Sequence, residues 1–186
     1  MATWNFDPTH TYASFSARHM MITTVRGRFA APIVGKLEFD PANPAATAVE
    51  ATIDATSVTT DHADRDNHLK SPDFLDIANY PTITFKSTRV EVTGDDTAKM
   101  HGDLTIRNVT RPVVLNVEFA GLTTDPWGGK RAGFTAETKI NREDWGLVWN
   151  MAIEAGGVLV GKDIKLNLDV EAVLAPETET VNAAGA

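Results

Sequence analysis

Residues 161–174, GKDIKLNLDVEAVL, alternate cleanly: Ile164, Leu166, Leu168, Val170 and Ala172 fall on one face, with polar residues between them. A period of two over this length is a strand with one buried face, since an amphipathic helix would bring apolar residues back every three or four. The same period runs outward through most of the chain. Ala13, Phe15 and Ala17 share a face between His10 and Met20. Phe29, Ile33, Gly35, Leu37 and Phe39 are in phase between Val25 and Asp40, and Val49, Ala51, Ile53 and Ala55 form a third run. Later runs place Ile83 with Phe85, and Met100 with Leu104 and Ile106. Val113, Leu115, Val117 and Phe119 form another, as do Ala132, Phe134, Ala136 and Ile140. Asp40–Pro44, Gly94–Asp96 and Asp125–Gly129 have the composition of turns between them.

The alternation fails at 65–81, RDNHLKSPDFLDIANYP, where charge, histidine and large apolar side chains are densest. Asp61 with an acidic first turn, and then Ser71-Pro72, predict two short helices, over about 63–70 and 72–77. Three strands, a two-helix insertion and four or five strands joined by short turns describe an antiparallel meander, closed as an up-and-down barrel or folded as a sandwich. Small inward residues (Ala13, Ala17, Gly35, Ala51, Gly102, Ala132, Ala136) favour a partly hollow barrel, although strand bends or close packing account for them equally well. The connection 141–160 is unusually apolar. Asn141 can cap a short turn that Gly146 ends, and the remainder reads as a further strand or a folded-in loop. The acidic tail 176–186, PETETVNAAGA, lacks apolar anchors and is expected to be disordered.

Composition narrows the function classes. The chain has 186 residues, enough for one barrel domain with a large core. Its net charge of -8 and lack of a basic run argue against nucleic acid, which needs a Lys/Arg surface. Without cysteine there is no disulfide, thiolate metal site or cysteine nucleophile. No stretch is apolar over bilayer length, and the N-terminus MATWNFDPTHTY is not a secretory signal. As written, the chain is expected in the cytoplasm; a processed form would be periplasmic or secreted.

Few residues have the spacing of a reaction centre. His62 with Asp66, and Asp64 with His68, are helical i, i+4 pairs that can ligate a divalent metal, but they lie on different faces and supply two ligands each. A metal-assisted enzyme using His62, Asp66 and His68 is the alternative to a binding protein; a solvated polar helix face is the simpler account. No nucleophile elbow, H-E-x-x-H or phosphate loop occurs. Trp145 and Trp149 either close one end of the fold or pack on a ligand. Arg142 beside them can stack on an indole and bond open-end carbonyls.

Several motifs together resemble one family. DPTHTYASFSARHMMITTVRGRF, RDNHLKSPDFLDIANYPTITFKST, HGDLTIRNVTRPVVL, GKRAGFTAETKINREDWGL and GGVLVGKDIKLNLDVEA follow, in order, the pattern of the YceI-like family. The likeness covers about 3–175. Thr11 and Asn108 depart from it mildly, standing where Ser and Gly are frequent. The resemblance implies a lipocalin-like antiparallel barrel that binds a polyisoprenoid or isoprenoid quinone, without catalytic residues or cofactor, in some members as a homodimer. The apolar tail is then expected among Phe15, Ala17, Phe29, Phe85 and Leu104, and along Ile106, Leu115, Val117, Phe134 and Leu166. Arg65, Asp66 and His68 are expected at the head group, with His19, Leu69, Phe74 and Trp149 completing the site.

Overall fold

In a computed structural model of the chain, which describes residues 1–154 and 156–176, the alternating segments form eleven strands of one antiparallel sheet. The first six are β1 (Ala2–Phe6), β2 (Tyr12–His19), β3 (Thr23–Phe29), β4 (Val34–Phe39), β5 (Ala48–Asp54) and β6 (Val58–Thr59). After an insertion come β7 (Thr82–Val92), β8 (Thr97–Ile106), β9 (Val109–Thr124), β10 (Lys130–Asn141) and β11 (Val160–Leu174).

β1 and β2 lie end to end along one edge of β11, Trp4 opposite Leu174 and Ala13 opposite Leu168. β4 and β3 continue each other against β1 and β2, and β5 and β6 repeat the arrangement against β4 and β3. The eleven segments therefore make eight staves, each beside its neighbour in sequence, and β11 closes onto the first. Closure decides for the barrel over the sandwich, and it satisfies the ladder hydrogen bonds that an open sheet would leave unpaired.

The long run expected over Val25–Asp40 is broken because Pro32 has no amide to give to a ladder. β1 has no legible alternation: it is five residues long, and Asp7–Thr11 interrupts the stave before β2 resumes it. In the connection 141–160, Asn141 Oδ1 accepts from the Glu143 amide and Gly146 ends a 3₁₀ turn at φ 78°. The described residues beyond it form a loop that carries the isolated bridge Ala152 to Val158. The tail expected to be disordered lies outside the described residues from 177 onward.

The insertion holds one α-helix, α1 (Ala63–Lys70), not two. Its cap is His62, whose Nδ1 accepts from the Arg65 amide at 3.4 Å; the expected cap, Asp61, is engaged by Arg28 at 2.8 Å. Beyond Ser71 the chain makes turns. The amides of Leu75 and Ile77 return to the carbonyls of Leu69 and Lys70, at 2.9 and 3.1 Å. They satisfy the orphan carbonyls at the end of α1 instead of winding a second helix, and Asp76 takes φ 51° to allow it. This insertion lies between β6 and β7, beside the end of the barrel where β2, β8 and β10 finish, here the helix end. The β7–β8 and β9–β10 turns form the far end.

Candidate functional site: an axial cavity

Inward side chains from every stave line a cavity of about 670 Å³, within the range of small-molecule sites. Its lining extends from Arg65, His68 and Trp149 at the helix end to Pro41, Pro44 and Gly94–Thr97 at the far end. Between these limits the wall is almost wholly aliphatic and aromatic: Leu104, Leu115, Val117 and Ile164 are representative.

Why the lumen stays open is visible in the wall itself. Phe15 lies over Gly27, Phe6 over Gly35 and Phe85 over Gly102, so closely that a Cβ on these glycines would fall 2.3–2.4 Å from a ring carbon. Each ring spreads along the neighbouring stave, which a side chain there would forbid. Ala13, Ala17, Ala51 and Ala136 keep other parts of the wall thin. Of the small residues named from the sequence, Gly35, Gly102 and Ala132 do not line the cavity; the first two serve as seats for rings. Toward the far end Phe39 meets Phe119 and Phe134, with centroids 5.5 and 5.2 Å apart, and forms an aromatic collar.

The helix end carries polarity. The His68 ring meets Trp149 edge-on at 4.4 Å and Phe74 at 4.9 Å, while its Nε2 lies 2.9 Å from Asp73. Arg142 is buried beneath them. Its Nε donates to Gly161 O at 3.1 Å, Nη2 to Val160 O at 3.4 Å, and Nη1 to Leu147 O. The guanidinium stacks on Phe74, centroid distance 5.8 Å, and not on an indole. Burial pushes its pKa below the usual arginine value, and nearby Glu143 partly opposes that. Trp145 is buried alongside, and its Nε1 donates to Leu104 O at 3.1 Å. Arg18, His19, Arg65, His68 and Arg142 put positive or titratable nitrogen at this end, with Asp64 the carboxylate among the lining; Asp95 and Asp96 line the far end.

All of the ligand contacts expected from the sequence line this cavity except Asp66. Asp66 turns toward β6, accepting from Thr59 Oγ1 at 2.8 Å and from the amide and hydroxyl of Thr60 at 2.7 and 2.6 Å. Partial burial raises its pKa, but these hydrogen bonds outweigh that and hold it below the ordinary value. It anchors α1 to the barrel. Met100, Val113, Ile140 and Leu159 also line the cavity. The first three sit in phase with residues already named, so their alternation marks them, whereas the far-end turns carry no apolar signal.

Nor does the structure assemble the metal reading. His62 caps α1, Asp66 is held by threonines and His68 by Asp73. Among the described residues, the acidic and histidine ligand atoms that do converge are those of Asp7, His10 and Glu171. Arg131 already pairs with both carboxylates of that group, contacting Asp7 Oδ2 at 2.5 Å and Glu171 Oε1. A guanidinium there supplies the positive charge that a cation would.

The model of the YceI-like domain family matches residues 4–172. The chain belongs to this family. Among YceI-like relatives, protein YceI of Escherichia coli is 47% identical over 138 residues, 74% of this chain and 71% of its own. A UPF0312 protein of Vibrio cholerae is 41% identical over 138 residues, 74% and 72% of the two chains. The YceI protein of Campylobacter jejuni superposes with a TM-score of 0.73 at 33% identity, over 86% of this chain and 90% of that one. BcnA of Burkholderia cenocepacia gives 0.78 at 20% identity, over 89% and 98%. A polyisoprenoid binding domain from Saccharophagus degradans gives 0.71 at 13% identity, over 94% and 100%. At such low identity the last two show that the YceI-like barrel is shared, and that alone.

Proposed function

We propose that this YceI-like barrel binds and carries a long apolar lipid, a polyisoprenoid or isoprenoid quinone, without transforming it. The observation that carries the reading is an apolar cavity whose lining extends between the two ends of the barrel. An isoprenoid chain has no polar groups, so its affinity must come from burial, at about 25 cal/mol per Å² of apolar area. A smooth hydrocarbon wall suits that, and a cluster of reactive groups is not required. The polar end of such a ligand belongs at the helix end, where Arg65 and His68 line the cavity. The name of the Saccharophagus degradans domain supports the same ligand class.

Native mass spectrometry of the purified protein, followed by organic extraction, tests this reading, and the homodimer implied by the resemblance is read in the same spectrum. An extractable isoprenoid lipid near one per barrel is expected, with a clear loss in Ala136→Phe, which fills the lumen with an apolar ring. A wild-type protein that yields no lipid and takes up no fluorescent long-chain probe would overturn it.

A further inference from the structure

A second apolar surface lies outside the cavity, at the helix end. The tip of the β2–β3 hairpin stands beside the loop 147–160: the Met20 amide donates to Leu159 O, and the Leu159 amide to Met151 O, both at 2.8 Å. On these two segments Met20, Met21, Ile22, Val148 and Met151 are exposed, Ile22 at 73% and Val148 at 63%. None of the five lines the cavity, yet their neighbours do: Arg18 and His19 precede Met20, Leu147 and Trp149 flank Val148, and Leu159 bonds to both segments. The patch is therefore the outer lip of the cavity's own mouth.

The turn that carries it is unusual. Met20 and Met21 have φ of 50° and 61°, and the Ile22 amide closes the turn on His19 O at 3.1 Å. Positive φ at both central residues of a hairpin turn favours Asn-Gly. Methionine here is disfavoured both by backbone sterics and by water, and neither the core nor the cavity accounts for it. These side chains stand exposed to water, and a fluid apolar phase can close around them.

Guanidinium groups stand around the lip. Arg18 donates to Met21 O at 3.0 Å and Thr24 Oγ1 at 3.2 Å, Arg65 to Thr60, Arg107 to Gly146 O and Arg111 to Asp144 O. Among the described residues none of these four forms an ion pair with a carboxylate, although the chain carries a net charge of -8. Asp64, Asp144 and Glu154 at the same end oppose them, so apolar insertion leads and charge attraction assists.

We propose that the helix end docks on a lipid bilayer containing anionic head groups, with Met20–Ile22, Val148 and Met151 entering the interface and Arg18, Arg65, Arg107 and Arg111 facing the head groups. This rests on the lipid reading of the cavity: a ligand insoluble in water then passes between bilayer and lumen without crossing solvent. Flotation with vesicles of phosphatidylcholine, alone and mixed with phosphatidylglycerol, tests it. The wild type is expected to float with the mixed vesicles, less at high salt, and the Met21→Glu/Ile22→Glu double variant to lose about tenfold in vesicle affinity. Trp127→Glu, which removes an exposed tryptophan at the far end, is expected to float like the wild type. Both variants should still take up a fluorescent long-chain probe delivered from dilute solvent. Wild-type protein that ignores both kinds of vesicle would overturn the docking proposal, as would a double variant that floats normally or a loss that follows Trp127→Glu. A change of oligomeric mass in the double variant overturns it too, assigning the lip to a protein partner. Failure of the wild type to take up the probe instead removes the lipid reading, whatever the vesicles show.

Discussion

Phe15 on β2 and Gly27 on β3 are directly paired, and a Cβ on Gly27 would stand 2.3 Å from Phe15 Cζ. A bulky residue and an empty one share a cross-strand position, so the ring lies against the wall and the lumen keeps its width. A diagonal version occurs where Phe85 on β7, paired with Leu104, lays its ring over Gly102 on β8, the partner of Ser87. Hollowness in this barrel comes from pairs of residues on adjacent staves.

Gly27→Ala forces the Phe15 ring off its seat and into the lumen. The variant is expected to fold, at a cost of about 1–3 kcal/mol from overpacking, and to bind a long-chain apolar probe several-fold more weakly. Gly102→Ala meets the Lys86 carbonyl at 2.7 Å as well as the Phe85 ring, so its stability loss should be the larger. Probe titration and urea denaturation check both; unchanged binding in Gly27→Ala would show that the ring does not set the lumen.

Trp145→Phe keeps an aromatic ring in the core but removes the Nε1 donor to Leu104 O. A buried carbonyl left without its donor costs about 1–3 kcal/mol. Denaturant midpoints at constant slope measure it, and an unaltered midpoint would mean that water reaches this carbonyl.

Arg142→Lys retains the charge and loses the planar fork that gathers the carbonyls of Leu147, Val160 and Gly161. A loss of about 1.5–3 kcal/mol is expected, together with faster amide exchange in 147–160, the loop that carries part of the cavity mouth. Hydrogen exchange confined to other segments would contradict this role.

Asp7 should make stability depend on pH. The hydroxyl of Thr9 at 2.6 Å and the guanidinium of Arg131 hold its carboxyl well below the ordinary 3.8 despite burial. A pKa depressed by folding stabilises the fold above the unfolded value, and that contribution is lost as pH falls toward the folded one. Asp7→Asn is therefore expected to be less stable than wild type at pH 7, with the gap shrinking steadily below about pH 4. Urea unfolding across that range measures the gap; an equal difference at every pH would rule out the ionised form as the source.

Alternation in Ile164–Ala172 and its counterparts was enough to read an all-β meander and most of the apolar wall, because inward and outward positions are set by a local period. Phe15, Leu104, Val117 and Leu166 line the cavity as that period implies. Local reading failed where side chains and amides find partners six or seven residues away, off the repeat of either helix or strand. Asp66 belongs to a helix that looks like a polar site, but Thr59 and Thr60 turn it toward β6. The second helix over 72–77 has acceptable propensity and is lost to the carbonyls of Leu69 and Lys70.

By itself, then, the sequence determined most of the strands, their facing and the apolar character of the interior, all of which depend on neighbours in the chain. Tertiary structure alone decided that β11 closes onto β1 and β2, that Phe15 folds over Gly27, and that Met20–Ile22 and Val148 meet at one mouth. These depend on which staves become adjacent, and that adjacency follows from register and closure of the whole sheet, which no single segment encodes.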